Sequence, residues 1–301
     1  IEQTGLDDLG DLAFDEPLGV LLASFERDAR LDANGVAGVE PQSETNWRYA
    51  DEANVPRVCF INKLDRTGAS FERSYASILD RLSKKAVRVQ IPIGLEEAHE
   101  GVIDLLEMKA YYFEGEMGNK VIEKEVPENM VADATKYRAE LIERIVENDE
   151  AMMTSYLEGN EPPLADLKRL LRKAVIANEI FPVYAGSALK NKGVQLVLDA
   201  VVDYLPSPLD LKPVVGTNPK TGEQVERHAS DEEPFCALAF KLQTDPFVGA
   251  LTFFRVYAGT VSAGSYIYNA NTGTKERNLV HLKHRNGADV VVRSEERRVG
   301  K

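Results

Sequence analysis

Two short apolar runs, each stopped by polar residues and each followed by a helical pattern, constrain this chain more than any other feature. Residues 58–61 run into Asn62-Lys63-Leu64-Asp65. A helix is expected over about 70–83, with Phe71, Ser74, Ile78 and Leu82 at helical spacing. Much further on, residues 180–184 run into Gly186-Ser187-Ala188, and a helix of about 193–204 carries Val194, Val197, Val201 and Leu205 on one face. Short, continuous apolar runs bounded by turn residues read as buried parallel strands. Strand, polar exit and helix, occurring twice, point to an α/β fold: a parallel sheet with flanking helices. In such sheets ligands bind outside the carboxyl ends of the strands. The two exits are therefore the candidate site.

The rest of the chain sorts around them. Residues 1–34 hold one short apolar run among acids and glycines, and no convincing strand–turn–helix unit. Pro41 opens a helix of about 41–53, with Trp47 and Ala50 toward a core. Residues 86–127 are strand-rich. Residues 128–158 form one long helix or two, with Met130, Ala134, Tyr137, Leu141 and Ile145 on one stripe and Gly159 as the stop. A further helix covers about 163–178. The proline-punctuated stretch "LPSPLDLKP" (205–213) is the best domain boundary. Beyond it the pattern turns to β. Cys236, Leu238, Phe240 and Leu242 alternate onto one face, and Asn271-Thr272-Gly273 signals a hairpin. Several short strands with glycine turns suggest a small barrel.

The residue types at the exits suit a guanine base. Guanine presents two adjacent donors, which a fixed Asp65 carboxylate accepts in a bidentate pair and adenine cannot satisfy. Lys63 can lay its aliphatic stem over the base. Asn62 can brace the loop and approach the purine edge. At the second exit, the small Ser187-Ala188 pair lets a backbone N–H come close to the guanine carbonyl. The plain alternative is that Asn and Asp are ordinary turn residues after a strand. The second exit, in the right order and followed by a helix, favours the guanine reading.

Longer stretches carry a family resemblance: "GVAGVEPQSET", "FINKLDRTGASFERS", "IPIGLEEAHEGVIDLLEMKA", "GSALKNKGVQLVLDAVVDYLPSPLD" and "LTFFRVYAGTVSAGSYIYN". Together they resemble bacterial-type elongation factor G, a translational GTPase that drives ribosomal translocation, over about 35–276. The resemblance implies a partial P-loop-type GTPase domain at 35–210, with a subdomain inserted at about 95–175. The start of a β-barrel second domain follows at 211–292. It makes Asn62, Lys63, Leu64 and Asp65 the first guanine-binding loop, and Ser187, Ala188 and Leu189 the second. It implies GTP or GDP as ligand, Mg²⁺ in the parent family, the ribosome with its stalk as partner, a monomeric state and a cytoplasmic location. The acidic residues Glu140, Glu143, Glu147, Asp149 and Glu150 read as solvated faces of the inserted helices. A rival within the class is a ribosomal protection protein, against which the long insertion argues.

The departures from that family matter as much. No Gly-x-x-x-x-Gly-Lys-Ser/Thr occurs to cradle a β-phosphate. No Thr-bearing switch segment for Mg²⁺ and no Asp-Thr-Pro-Gly-His is recognisable. Asp7-Asp8-Leu9-Gly10 and Asp32-Ala33-Asn34-Gly35 fit Asp-x-x-Gly only by chance. Phosphoryl transfer rests on positioning and charge stabilisation of the phosphates, so no catalytic residue is expected here. The family resemblance fades after Glu276, and "RSEERRVGK" (293–301) reads like translated sequencing adapter. The expectation is an inactive fragment, at most a weak guanine-binding or stalk-interacting scaffold.

Composition adds exclusions. A formal charge of −13 speaks against a broad nucleic-acid-binding face. Cys59 and Cys236 both sit in apolar runs and read as buried free thiols. No apolar run approaches a membrane span. His281 and His284 have no third ligand in view, and His99 and His228 are isolated, so no metal site is expected.

Overall fold

The computed structural model describes residues 33–115, 118–217, 223–245, 249–261, 265–270, 272–277 and 292–293. The chain divides into two compact units between Pro206 and Ser207, inside the expected linker. Residues 1–32, His281, His284 and nearly all of the 293–301 segment lie outside the described residues.

The first unit opens on a two-residue ladder, β1 (Ala33–Asn34) against β2 (Gly38–Val39). Ala33 and Asn34 are therefore paired strand, while 1–32 lie outside the described residues. Helix α1 (Pro41–Glu52) has Pro41 at its first turn and buries Ser43, Asn46, Trp47 and Ala50, one stripe at helical spacing. The strand β3 (Cys59–Ile61) is wholly buried. Ser70 caps α2 (Phe71–Arg81) by accepting the Arg73 N–H at 3.3 Å. Phe71, Ser74, Tyr75 and Ile78 face inward.

The strand β4 (Ala86–Arg88) returns to the sheet, and at Val89 the chain leaves it. Val89 N–H still donates to Val183, while its carbonyl already accepts from Leu105. An antiparallel meander follows in simple order: β5 (Gln90–Ile93), β6 (Gly101–Asp104), β7 (Lys109–Glu114) and β8 (Lys120–Glu125). Three helices come next: α3 (Val131–Val146), α4 (Glu150–Leu157) and α5 (Leu164–Ile176). The 128–158 stretch is thus two helices. The break falls where Asp149 caps α4 by accepting the Met152 N–H at 3.1 Å. Ala134, Leu141 and Ile145 are buried, and Glu140, Glu143, Glu147 and Glu150 are exposed.

The buried strand β9 (Phe181–Ala185) then inserts between β3 and β4, parallel to both, giving the order β3-β9-β4. Helix α6 (Val194–Tyr204) follows and packs on α5. One core joins the two sheets and the helices, from Val58, Phe60 and Ile61 through Val102 and Ile103 to Leu141, Leu170 and Val183. Against it lies Arg57, buried between Trp47 and Phe181 and ion-paired to Asp51 at 2.7 Å.

After a short 3-10 turn at Pro208–Asp210, the regular elements described in the second unit are β-strands. β10 (Val214–Thr217) pairs with β11 (Gln224–Arg227). β12 (Cys236–Asp245) pairs with β13 (Gly249–Ala258), which also meets β16 (Val292–Arg293). β14 (Tyr266–Asn269) and β15 (Thr274–Arg277) form a hairpin around Gly273. The expected alternation in β12 does not hold. The register shifts between Cys236 and Ala237 and again between Ala239 and Lys241, and Leu238 is 52% exposed. Irregular pairing on both sides of Leu238 breaks the ladder that a strict alternation needs. The side chains of Phe240 and Leu242 lie outside the described residues. Cys236 is only partly buried, unlike Cys59.

Candidate functional site

The parallel register of β3 and β9 pairs Ile61 with Ala185, so both polar exits leave the same sheet edge side by side. They are stitched together. Gly186 N–H donates to Ile61 O at 3.0 Å, and Leu64 N–H donates to Gly186 O at 3.2 Å. Asn62 closes the junction. Its side chain is buried, and its Oδ1 accepts from Lys63 N–H at 2.7 Å and from Ala188 N–H at 2.8 Å. One amide oxygen thus fixes both loops.

Each residue at the first exit has a distinct place. Lys63 adopts φ +61°, a left-handed conformation that costs a non-glycine residue about 1 kcal/mol or more. Leu64 points the other way, fully buried in the core beneath the loop. Its carbonyl accepts from Glu96 N–H at 2.7 Å, so it anchors the loop and presents no surface to a ligand. Asp65 is partly buried, and its carboxylate has no hydrogen-bond or ion-pair partner among the described residues.

At the second exit Gly186 is required. A Cβ there would stand 2.1 Å from Lys192 O and 3.0 Å from the Phe60 ring. Ser187 and Lys192 exchange backbone hydrogen bonds, both 2.9 Å, closing the loop. The buried Ser187 hydroxyl accepts from Lys190 N–H at 3.2 Å. Ala188 N–H is engaged by Asn62, whereas Leu189 N–H has no acceptor among the described residues, and Leu189 is 57% exposed. A carbonyl arriving at this mouth would meet the Leu189 N–H or share that of Ala188. Gly193, at φ +84°, then starts α6, and a Cβ on it would stand 2.5 Å from Ala185 O.

Several residues at the site carried no local signal. Gly35 N–H donates to Asn62 O at 3.1 Å and its carbonyl accepts from Ser70 N–H at 2.7 Å, so the β1–β2 turn backs the first exit. Glu96 accepts the Gly68 N–H at 2.6 Å. Lys192 Nζ donates to His99 O. His99 is buried, with Nδ1 3.3 Å from Gly94 O. Burial holds its imidazole below the usual range and Lys192 adds to that, against the opposing pull of Gly94 O and Asp65. Only the glycine at Gly94, flanked by strands, hinted at a tight turn there.

Residues 31–207 match the family described as the elongation factor Tu GTP binding domain. The chain belongs to that family. Residues 31–207 are therefore a GTP-binding domain of the elongation-factor type, and a guanine nucleotide is the ligand class to set against these exits. A crystal structure of a protein from Thermus thermophilus superposes with a TM-score of 0.68 at 27% identity, over 87% of this chain and 36% of that one. This chain thus spans about a third of the length of that relative. Within the GTP-binding domain, the Asp65 carboxylate offers acceptors and the Leu189 N–H a donor with no partner among the described residues. No three His, Cys, Asp or Glu side chains converge among the described residues. No helix among them is long and apolar enough to cross a membrane.

Proposed function

We propose that this chain carries the guanine-recognising half of an elongation factor G-type translational GTPase. The observation that carries the reading is an Asp65 carboxylate with no hydrogen-bond or ion-pair partner among the described residues, three positions after the Asn62 side chain that bridges to the second loop. Asp65 accepts the two adjacent guanine donors, Lys63 covers the base, and the Ser187-Ala188-Leu189 loop supplies a backbone N–H to its carbonyl. The meander and helices between β4 and β9 correspond to the subdomain inserted in the elongation factor G domain, and 211–292 to the start of its barrel. The parent activity is GTP-dependent translocation on the ribosome in the cytoplasm, with the stalk as a contact of the inserted subdomain.

For the 301-residue chain itself, the second reading is a weak guanine-binding scaffold without hydrolysis. It is favoured by the lack of any Gly-x-x-x-x-Gly-Lys-Ser/Thr in the sequence. Base contacts of about 1–3 kcal/mol each then give GDP a Kd no tighter than about millimolar. Calorimetry with GDP and ADP on the purified chain tests both. Millimolar GDP binding with weaker ADP binding is expected, and Asp65→Asn should erase the difference, since one acceptor becomes a donor facing a donor. Equal affinity for both bases would end the guanine reading. Micromolar GDP binding would end the scaffold reading.

A further inference from the structure

Two turns of the antiparallel meander press on the two exits. The first is the β5–β6 turn, residues 94–100. It is sharply constrained: Gly94 has φ +72°, and a Cβ on it would lie 1.8 Å from Ala98 O. Glu96 is held at φ +58°, an uncommon conformation for a charged residue. In that conformation it bonds the first exit twice. Its N–H donates to Leu64 O at 2.7 Å, and its carboxylate accepts the Gly68 N–H at 2.6 Å. These bonds clasp the loop on both sides of Asp65. Three residues later the same turn bonds the second exit, where His99 O accepts from Lys192 Nζ. The other turn, at the end of β7, adds a third attachment. Gly118 O accepts from Gln195 Nε2 at 3.1 Å, and a Cβ on Gly118 would stand 2.8 Å from Lys190 O.

We infer that Glu96 is a positioning residue for guanine recognition. It aims Asp65 by bracketing the 64–68 loop and couples the meander to the affinity of the site. The inference rests on the guanine reading above and adds its control. A loop held in a left-handed conformation at Lys63 needs its downstream end fixed, and the only acceptor for Gly68 N–H among the described residues is the Glu96 carboxylate. Backbone N–H bonds to a carboxylate are among the stronger ones in proteins. A displacement of the meander therefore pulls on the segment that carries Asp65, and a partner that grips the meander would change guanine affinity from a distance.

The test compares GDP with IDP, which lacks the 2-amino group that a bidentate Asp65 reads. Both are titrated into the full chain and followed by saturation-transfer NMR. Wild type should prefer GDP by about tenfold, the worth of one good hydrogen bond to a charged group. Glu96→Ala should reduce that preference to about twofold. Glu96→Gln keeps an acceptor for Gly68 N–H and should restore most of it, a rescue that a general loss of stability would not give. Glu97→Ala, an exposed neighbour, should leave it at the wild-type value. Should Glu96→Ala fail to fold, Lys192→Met, which releases the second exit from His99 O, should show the same narrowing. No GDP preference in wild type would overturn the guanine reading and this inference together. A wild-type preference that survives in Glu96→Ala, or in Lys192→Met, would overturn this inference alone.

Discussion

Removing the Asn62 side chain should do more damage than its size suggests. In Asn62→Ala, the Lys63 and Ala188 N–H groups lose the oxygen they share at 2.7 and 2.8 Å. An unsatisfied buried donor costs about 1–3 kcal/mol. The two amides are only partly buried, and water can reach some of the lost valence, so the lower half of that range applies. Two donors then give about 2–4 kcal/mol. That is a large share of the roughly 5–15 kcal/mol that holds a domain folded. The loss should also be local. With Oδ1 gone, the Ala188 loop keeps the backbone bonds at Gly186, to Ile61 O and from Leu64 N–H, but loses its own tie to the first exit. The assay is urea unfolding together with amide hydrogen exchange. Unfolding should show the drop in stability. Exchange should show the Lys63 and Ala188 amides losing at least about thirtyfold in protection, the equivalent of 2 kcal/mol. A stability within about 0.5 kcal/mol of wild type, with both amides exchanging as before, would refute the reasoning. The bridge would then be a by-product of strand pairing.

Two further predictions concern buried charge. The Asp104 carboxyl caps the turn after β6, accepting from Leu106 N–H at 2.9 Å and Glu107 N–H at 3.0 Å. Burial first, and then the Glu107 charge, push its pKa up to about 6 from an ordinary 3.8. A folded-state pKa above the unfolded one gives stability that is complete below about pH 4 and lost as pH rises through 6. Asp104→Asn keeps the acceptor and drops the charge. Above pH 6 it should raise stability by about 1–2 kcal/mol, discounted from about 3 because the residue keeps some exposure. Urea midpoints at pH 4 and pH 7 should differ less than in wild type, and an unchanged difference would count against it. The second is Arg57, where burial depresses the pKa but the Asp51 pair holds the charge. Arg57→Met leaves Trp47 O and Val55 O without their donors and should cost about 2–4 kcal/mol. A thermal midpoint within a degree of wild type would contradict this.

What the sequence made legible is what short-range physics dictates. The runs at 58–61 and 180–184 are apolar because β3 and β9 are buried, and the helices after them announce themselves through Ser70, Gly193 and their apolar stripes. The exits could be found for the same reason. What escaped depends on contacts between distant segments. Nothing near Glu96 says that its carboxylate meets Gly68, and nothing near Gly35 says that it lies on Asn62. Leu64 sits inside the four-residue pattern, yet its place is the core, because the loop turns over between Lys63 and Asp65. Leu238 misled for the opposite reason. Alternation assumes an unbroken ladder, and the β12–β13 register shifts on both sides of Leu238.

The wide separation of the exits is what makes the intervening segment matter. β4 and β9 are neighbours in the sheet, but about ninety residues lie between them in sequence. Closing a flexible loop of that length would cost about 4 kcal/mol, charged against the strand pairing that builds the site. Here the loop is not flexible. It departs at Val89 through bonds to both sheets, folds into a meander and three helices on the same core, and re-enters at Phe181, whose N–H donates to Lys85 O at 3.0 Å. Most of the closure cost is met by the segment's own folding. The consequence is that the second exit can take its place only when that segment is folded. Anything that loosens the meander weakens the pairing of β9 with β3 and β4 and separates the two loops that Asn62 joins. The chemistry of the site belongs to about seven residues, but its geometry belongs to the whole first unit.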